Sequence, residues 1–203
     1  MASHVTRLLA VLAFLPALLL AFLPAATPAL AHTGDVMGGF FGGLAHPVLG
    51  LDHVAAMVAV GLWGAVLGSP AIILLPVVFP LVMAIGGALG IFGVPLPGTE
   101  IAIAASAVLL GLAVALAAKP PLWIAVLLAG LFAVFHGHAH GAELPAGVDA
   151  VAYCAGFVVA TGLLHLAGIA LGLLSRWPSG RIAVRGAGGA IALAGVAFLV
   201  RLA

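Results

Sequence analysis

From residue 37 onward the chain is a succession of apolar segments separated by brief polar stretches, at approximately 37–67, 70–92, 99–118, 121–139, 149–174 and 184–202. Each is long enough to cross a bilayer as a helix, for which roughly 17–25 residues suffice. In lipid only a helix or a closed barrel satisfies its own backbone. No strand-like alternation is present, so the pattern predicts an all-α fold, a polytopic membrane bundle of six transmembrane helices. The first segment is too long for one straight span. About 31 residues at 1.5 Å each reach roughly 46 Å, against a hydrocarbon core of ~30 Å. Gly38-Gly39, Gly42-Gly43, Pro47 and Gly50 supply the means to bend it. The reading is a long first helix broken near His46-Pro47, with unwound backbone that lines a polar cavity.

Residues 1–31 read as a cleavable signal peptide ahead of this bundle. Arg7 gives a small basic start, Leu8 to Leu23 an apolar core, and Ala29-Leu30-Ala31 an A-x-A cleavage site. The alternative is an uncleaved first helix, which the roughly 16-residue run, interrupted by Pro16, is short for. The expected organisation is a signal peptide at 1–31 and a six-helix transmembrane domain at 32–203. After cleavage the mature chain begins at His32, outside the cytoplasm.

Composition agrees with a bilayer as solvent: 66% of the 203 residues are hydrophobic and 5% charged, with a mean hydropathy of +1.41. A formal net charge of +1 with no basic run excludes nucleic acid as a partner class. One cysteine, Cys154, rules out an internal disulfide or a Cys-based zinc site. With the mature N-terminus outside, Lys119, Arg176, Arg181 and Arg185 all fall at cytoplasmic connections, as the positive-inside rule requires. Asp35, Glu100, Glu143 and Asp149 fall on the other side, along with His32, His138 and His140. Such a face concentrates cations.

The chemistry-bearing residues lie inside the apolar segments. His46-Pro47-Val48-Leu49-Gly50-Leu51-Asp52-His53 sets an acid and two histidines in the first span. A carboxylate at mid-membrane costs about 2.5–3.5 kcal/mol, so its presence points to function. Imidazole with carboxylate suits a borderline divalent cation. His46 and His53 share a helical face but stand ~10.5 Å apart in rise, so either the chain bends between them to share one ion or they serve two successive sites along a path. Met57 follows on the same face as a soft contact. The bland alternative is an Asp–His hydrogen bond that pins helices together.

Phe135-His136-Gly137-His138-Ala139-His140-Gly141-Ala142-Glu143 is the second constellation. His136 and His140, at i and i+4, put two imidazoles on one face, and Glu143 can add an oxygen. His138 points away from that face. His165 lies one turn beyond Thr161, whose hydroxyl can bond its ring. Glu100 follows Thr99, a candidate N-cap, and either complements the helix dipole or faces the ion with Ser106. His32 offers an α-amine and an imidazole together. The metal-ligand candidates are therefore His46, Asp52, His53, His136, His140, Glu143, Glu100, His32 and His165. Small-x-x-x-small spacings such as Gly39…Gly43 and Gly86…Gly90 predict close helix packing.

The run from His46 to Ala65 closely resembles the signature of the HupE/UreJ family of bacterial nickel permeases. Phe135 to Glu143 resembles its second signature and Ala160 to Gly168 a third, so the resemblance spans essentially the whole chain. It implies Ni²⁺ import across the inner membrane for hydrogenase or urease maturation, with His46, Asp52, His53, Glu100 and Glu143 important for transport. His138 is an addition to the usual pattern and carries no role from it.

Several function classes are set against this. The absence of an H-E-x-x-H motif argues against a metallohydrolase, and the chain is not expected to be an enzyme. No P-loop is present, so this chain does not hydrolyse ATP, and no ATPase subunit is evident from it. Import is then facilitated or driven by the membrane potential, worth ~2.3 kcal/mol per charge per 100 mV. Alternatives are a cobalt permease, since imidazole and carboxylate do not choose between Ni²⁺ and Co²⁺, a haem-binding subunit, and a nickel-binding accessory or sensor protein that moves nothing. No permanently bound cofactor is expected; the partners are the nickel ion, membrane lipid and, as one arrangement, a second copy in a homo-oligomer.

Overall fold

The computed structural model describes residues 39–203. The expected signal peptide, His32 and Asp35 lie outside them. Among the described residues the fold is all-helical: α1 (Phe40–Leu49), α2 (Leu51–Leu67), α3 (Ala71–Ile91), α4 (Thr99–Ala115), α5 (Leu122–Ala142), α6 (Ala150–Gly172) and α7 (Pro178–Leu202), with a 3-10 turn at Leu173–Arg176. Helices α3, α5, α6 (with its 3-10 extension) and α7 are each long and apolar enough to cross a membrane, and the bent pair α1–α2 makes a fifth. Helix α4, at 17 residues, is shorter but also apolar. The protein is thus a multi-pass membrane bundle.

Helix α2 is its axis. All ten residues from Ala55 to Gly64 are buried, enclosed by α3, α4, α6 and α7. The outer helices are apolar on the outside as well. Ile73, Val77, Leu81 and Ile85 form an exposed row along α3, a stripe that suits acyl chains and would be a liability in water.

The break in the first segment is real but lies later than expected. Pro47 sits inside α1, and the chain turns by 85° at Gly50. Pro47 lies in the last turn of α1 and removes only the hydrogen bond to the Gly43 carbonyl. Gly50 is extended, with φ −88° and ψ 107°. A Cβ there would lie 2.9 Å from His53 Nδ1 and 3.1 Å from Asp52 Oδ1. Glycine at this corner is what lets the Asp52–His53 pair fold back against the backbone.

Other boundaries shift for identifiable reasons. Helix α7 begins at Pro178, six residues before the expected 184, because a proline at the first helical position needs no N–H donor. Thr99 is not the N-cap of α4; Gly98 is, and the Thr99 hydroxyl donates to the Leu96 carbonyl at 2.7 Å. The glycine spacings do mark close packing. Gly86 and Gly90 of α3 lie against the α5 backbone at Val134 and His138, and Gly137 and Gly141 of α5 lie against Met83 and Gly87.

The cationic connections gather at one end. Trp63 Nε1 donates to the Ala118 carbonyl at 3.0 Å and Arg185 Nε to the Ala115 carbonyl at 2.7 Å, joining α2, α4 and α7 beside Lys119. Arg176 and Arg181 flank the α6–α7 turn at the same end. Glu143 and Asp149 lie at the other, between α5 and α6.

Candidate metal site

The 85° turn solves the distance problem posed by His46 and His53. On opposite arms of the corner, both rings meet His140 of α5, with centroids 4.8 Å and 4.3 Å from it. His136, one turn deeper on α5, lies 4.9 Å from His53. Four imidazoles from three helices thus form one continuous cluster. Glu143, which closes the C-terminus of α5, brings Oε2 within 3.4 Å of His46 Nε2. The His46 ring holds the Glu143 carboxyl below its ordinary range, against the opposing effect of partial burial.

Hydrogen bonding decides which nitrogens are free. An ionised carboxylate only accepts, so at 2.7 Å from Asp52 Oδ1 the His53 Nδ1 carries the proton. The same oxygen accepts the His53 backbone N–H at 2.8 Å. His53 Nε2 is left as a buried lone pair with no protein partner. This is the carboxylate–histidine arrangement that orients a metal-binding imidazole, and Asp52 acts on the site through His53.

Ser106 does the same for His136 from α4. Its hydroxyl donates to the Ile103 carbonyl at 2.6 Å and lies 2.9 Å from His136 Nε2. With its one proton committed to Ile103, Ser106 accepts from Nε2–H, and His136 Nδ1 is the free lone pair. Both side chains are fully buried. At His140 neither ring nitrogen has a protein partner; Phe157 braces the ring at a centroid distance of 4.2 Å.

Ligand atoms of His46, His140 and Glu143 lie within 4.8 Å of one another. Donors on a common ion with bonds of about 2 Å are at most ~4 Å apart, so a shared ion would require this triad to close by about 1 Å. A nitrogen-and-oxygen set of this kind suits a borderline divalent cation.

The remaining candidates are placed elsewhere. Glu100 is exposed in the first turn of α4 and forms no ion pair among the described residues. His138 points away, as its position predicts, and its Nε2 bonds the Val94 carbonyl at 2.7 Å, tying α5 to the loop after α3. Met57 is buried in the apolar core. His165 is buried deeper, beyond Phe79, and the expected bond from Thr161 is not formed, since neither of its ring nitrogens nor Thr161 Oγ1 has a partner.

Sequence reasoning did not single out Phe79, Tyr153 or Phe157, which wall the cluster. As apolar or aromatic residues in apolar helices they carry no distinguishing signal. Ser106 did offer one: a hydroxyl in mid-span.

The sequence matches the family described as HupE / UreJ protein over residues 20–198. Protein HupE of Rhizobium leguminosarum bv. viciae is 49% identical over 170 residues, covering 84% of this chain and 89% of that protein. No solved structure matches the chain. With the match running from the first apolar segment to the last helix, the chain belongs to the HupE/UreJ family.

Proposed function

We propose that this protein is an inner-membrane permease that imports Ni²⁺ for maturation of a hydrogenase or urease. The observation that carries the reading is the meeting of His46, His140 and Glu143 at the acidic end of the bundle, backed by His53 and His136 with free nitrogens directed by Asp52 and Ser106. In this reading α4 is a sixth span, about 25 Å long at 17 residues. The acidic end faces outward and the Lys119–Arg185 end faces the cytoplasm, following the positive-inside rule.

Glu143 and His46 take the ion as it sheds water, and His140 receives it at the corner of the broken helix. His53 and His136 draw it inward. The His46, His140 and Glu143 group supplies three donors, fewer than a divalent cation's full shell, and conduction requires such incomplete binding. A divalent cation moving toward a negative interior gains about 4.6 kcal/mol per 100 mV, twice the value for one charge, so no further energy source is needed. Cobalt is the closest competitor, because the ligand set alone does not separate it from nickel.

The test is uptake of radiolabelled Ni²⁺ into proteoliposomes under an inside-negative potential, comparing the unmodified protein with Asp52→Asn. The reading requires potential-dependent uptake that the variant loses while still inserting. Nickel binding without uptake by the unmodified protein would favour an accessory or sensing role.

A further inference from the structure

We propose that His165, Thr161 and the backbone carbonyl of Pro76 form a second, inner station for the transported cation. The proposal rests on the permease reading and adds a site to it. One face of α6 carries Tyr153, Phe157, Thr161 and His165 at four-residue intervals, all buried. Tyr153 lies beside His46 and Phe157 beside His140. Eight residues further along the helix, about 12 Å deeper, His165 comes level with Phe79 of α3. The Phe79 ring stands between the two sites, 5.7 Å from the His136 ring and 5.4 Å from the His165 ring.

His165 and Thr161 are fully buried, yet His165 Nδ1, His165 Nε2 and Thr161 Oγ1 all lack a protein partner. Neutral imidazole always carries one donor and one acceptor, and leaving them idle in an apolar interior is unfavourable.

The facing helix supplies the third group. Pro80 has no N–H, so the Pro76 carbonyl one turn earlier has no intrahelical donor. That carbonyl lies beside the His165 ring but outside hydrogen-bonding geometry. One imidazole nitrogen, one hydroxyl and one carbonyl oxygen on two contacting helices make a sparse site for a partly dehydrated divalent cation. Sites in series, each weak enough to leave, are how a conducting path combines selectivity with throughput.

The experiment uses the full-length protein in proteoliposomes, with Ni²⁺ as the probe. His165→Phe keeps the ring volume and removes both nitrogens. Maximal uptake is expected to fall by about tenfold or more while half-saturation, set by the untouched outer cluster, stays within about twofold. Equilibrium dialysis should find one fewer Ni²⁺ per chain. The melting temperature of the nickel-free protein should not fall, because an idle buried polar ring has been replaced by an apolar one. Thr161→Val, which keeps the volume, should show the same rate-specific loss and serves if His165→Phe does not insert.

Unchanged uptake and unchanged bound nickel in these variants would overturn the station and leave the outer site standing. A lowered melting temperature with full uptake would show His165 to be a packing residue and would also overturn it. No nickel uptake or binding by the unmodified protein would overturn the permease reading instead.

Discussion

Replacing Ser106 with alanine removes one oxygen atom and leaves every proposed ligand in place. The lost bond is 2.9 Å long and joins two fully buried groups. If the His136 ring keeps its tautomer, its Nε2–H is stranded without an acceptor, at a cost of about 1–3 kcal/mol. If the proton moves to Nδ1, the strain is relieved but the lone pair facing the cluster is lost. Either route weakens nickel at this point of the path. Removing an outer partner of a metal-binding imidazole typically costs 10–100-fold in affinity, or about 1.4–2.8 kcal/mol. Calorimetric titration of purified protein with Ni²⁺ should show this weakening, and uptake should fall in step. Ser106→Thr keeps the hydroxyl and should restore most of both. Wild-type binding and uptake by Ser106→Ala would refute the claim that Ser106 sets the tautomer of a working ligand.

Gly137→Ala puts a Cβ 2.7 Å from the Met83 carbonyl carbon and 2.8 Å from the Gly87 nitrogen. Forcing α3 and α5 apart should cost about 1–3 kcal/mol, read as a lower melting temperature, and should reduce uptake because His136 adjoins the strain. Gly130→Ala meets only Val82 Cγ2 at 3.9 Å and should be silent in both assays. His138→Ala loses the bond to Val94, worth about 1 kcal/mol, and should transport normally; abolished uptake would place His138 in the path. Glu143 has a folded-state carboxyl held below its ordinary 4.5 by His46. Its stabilising contribution is therefore full above that value and lost as pH falls through the folded value. Melting curves across acidic pH should converge for wild type and Glu143→Gln below it and separate above it.

The apolar pattern made the helical bundle legible, because a bilayer permits so few solutions. The length of the first segment also announced a bend, and the separation of His46 and His53 showed what a bend would accomplish. Its position was harder to read. Pro47 looked like the breaking point, but a proline in the last turn of a helix removes only one intrahelical hydrogen bond. The helix instead breaks at Gly50, where a side chain would strike Asp52 and His53. Local spacing separated His138 from His136 and His140 correctly. It could not foresee Ser106 meeting His136, a contact 30 residues apart in sequence. Nor could it show that Thr161 and His165, one turn apart, leave each other unbonded.

X-ray absorption at the nickel edge, on protein loaded with one equivalent of Ni²⁺, tests most directly whether the histidine corner holds the ion. The account predicts nitrogen and oxygen ligands with clear imidazole scattering, reduced in His140→Ala. Sulfur ligation, or an imidazole signal that His140→Ala leaves unchanged, would contradict it.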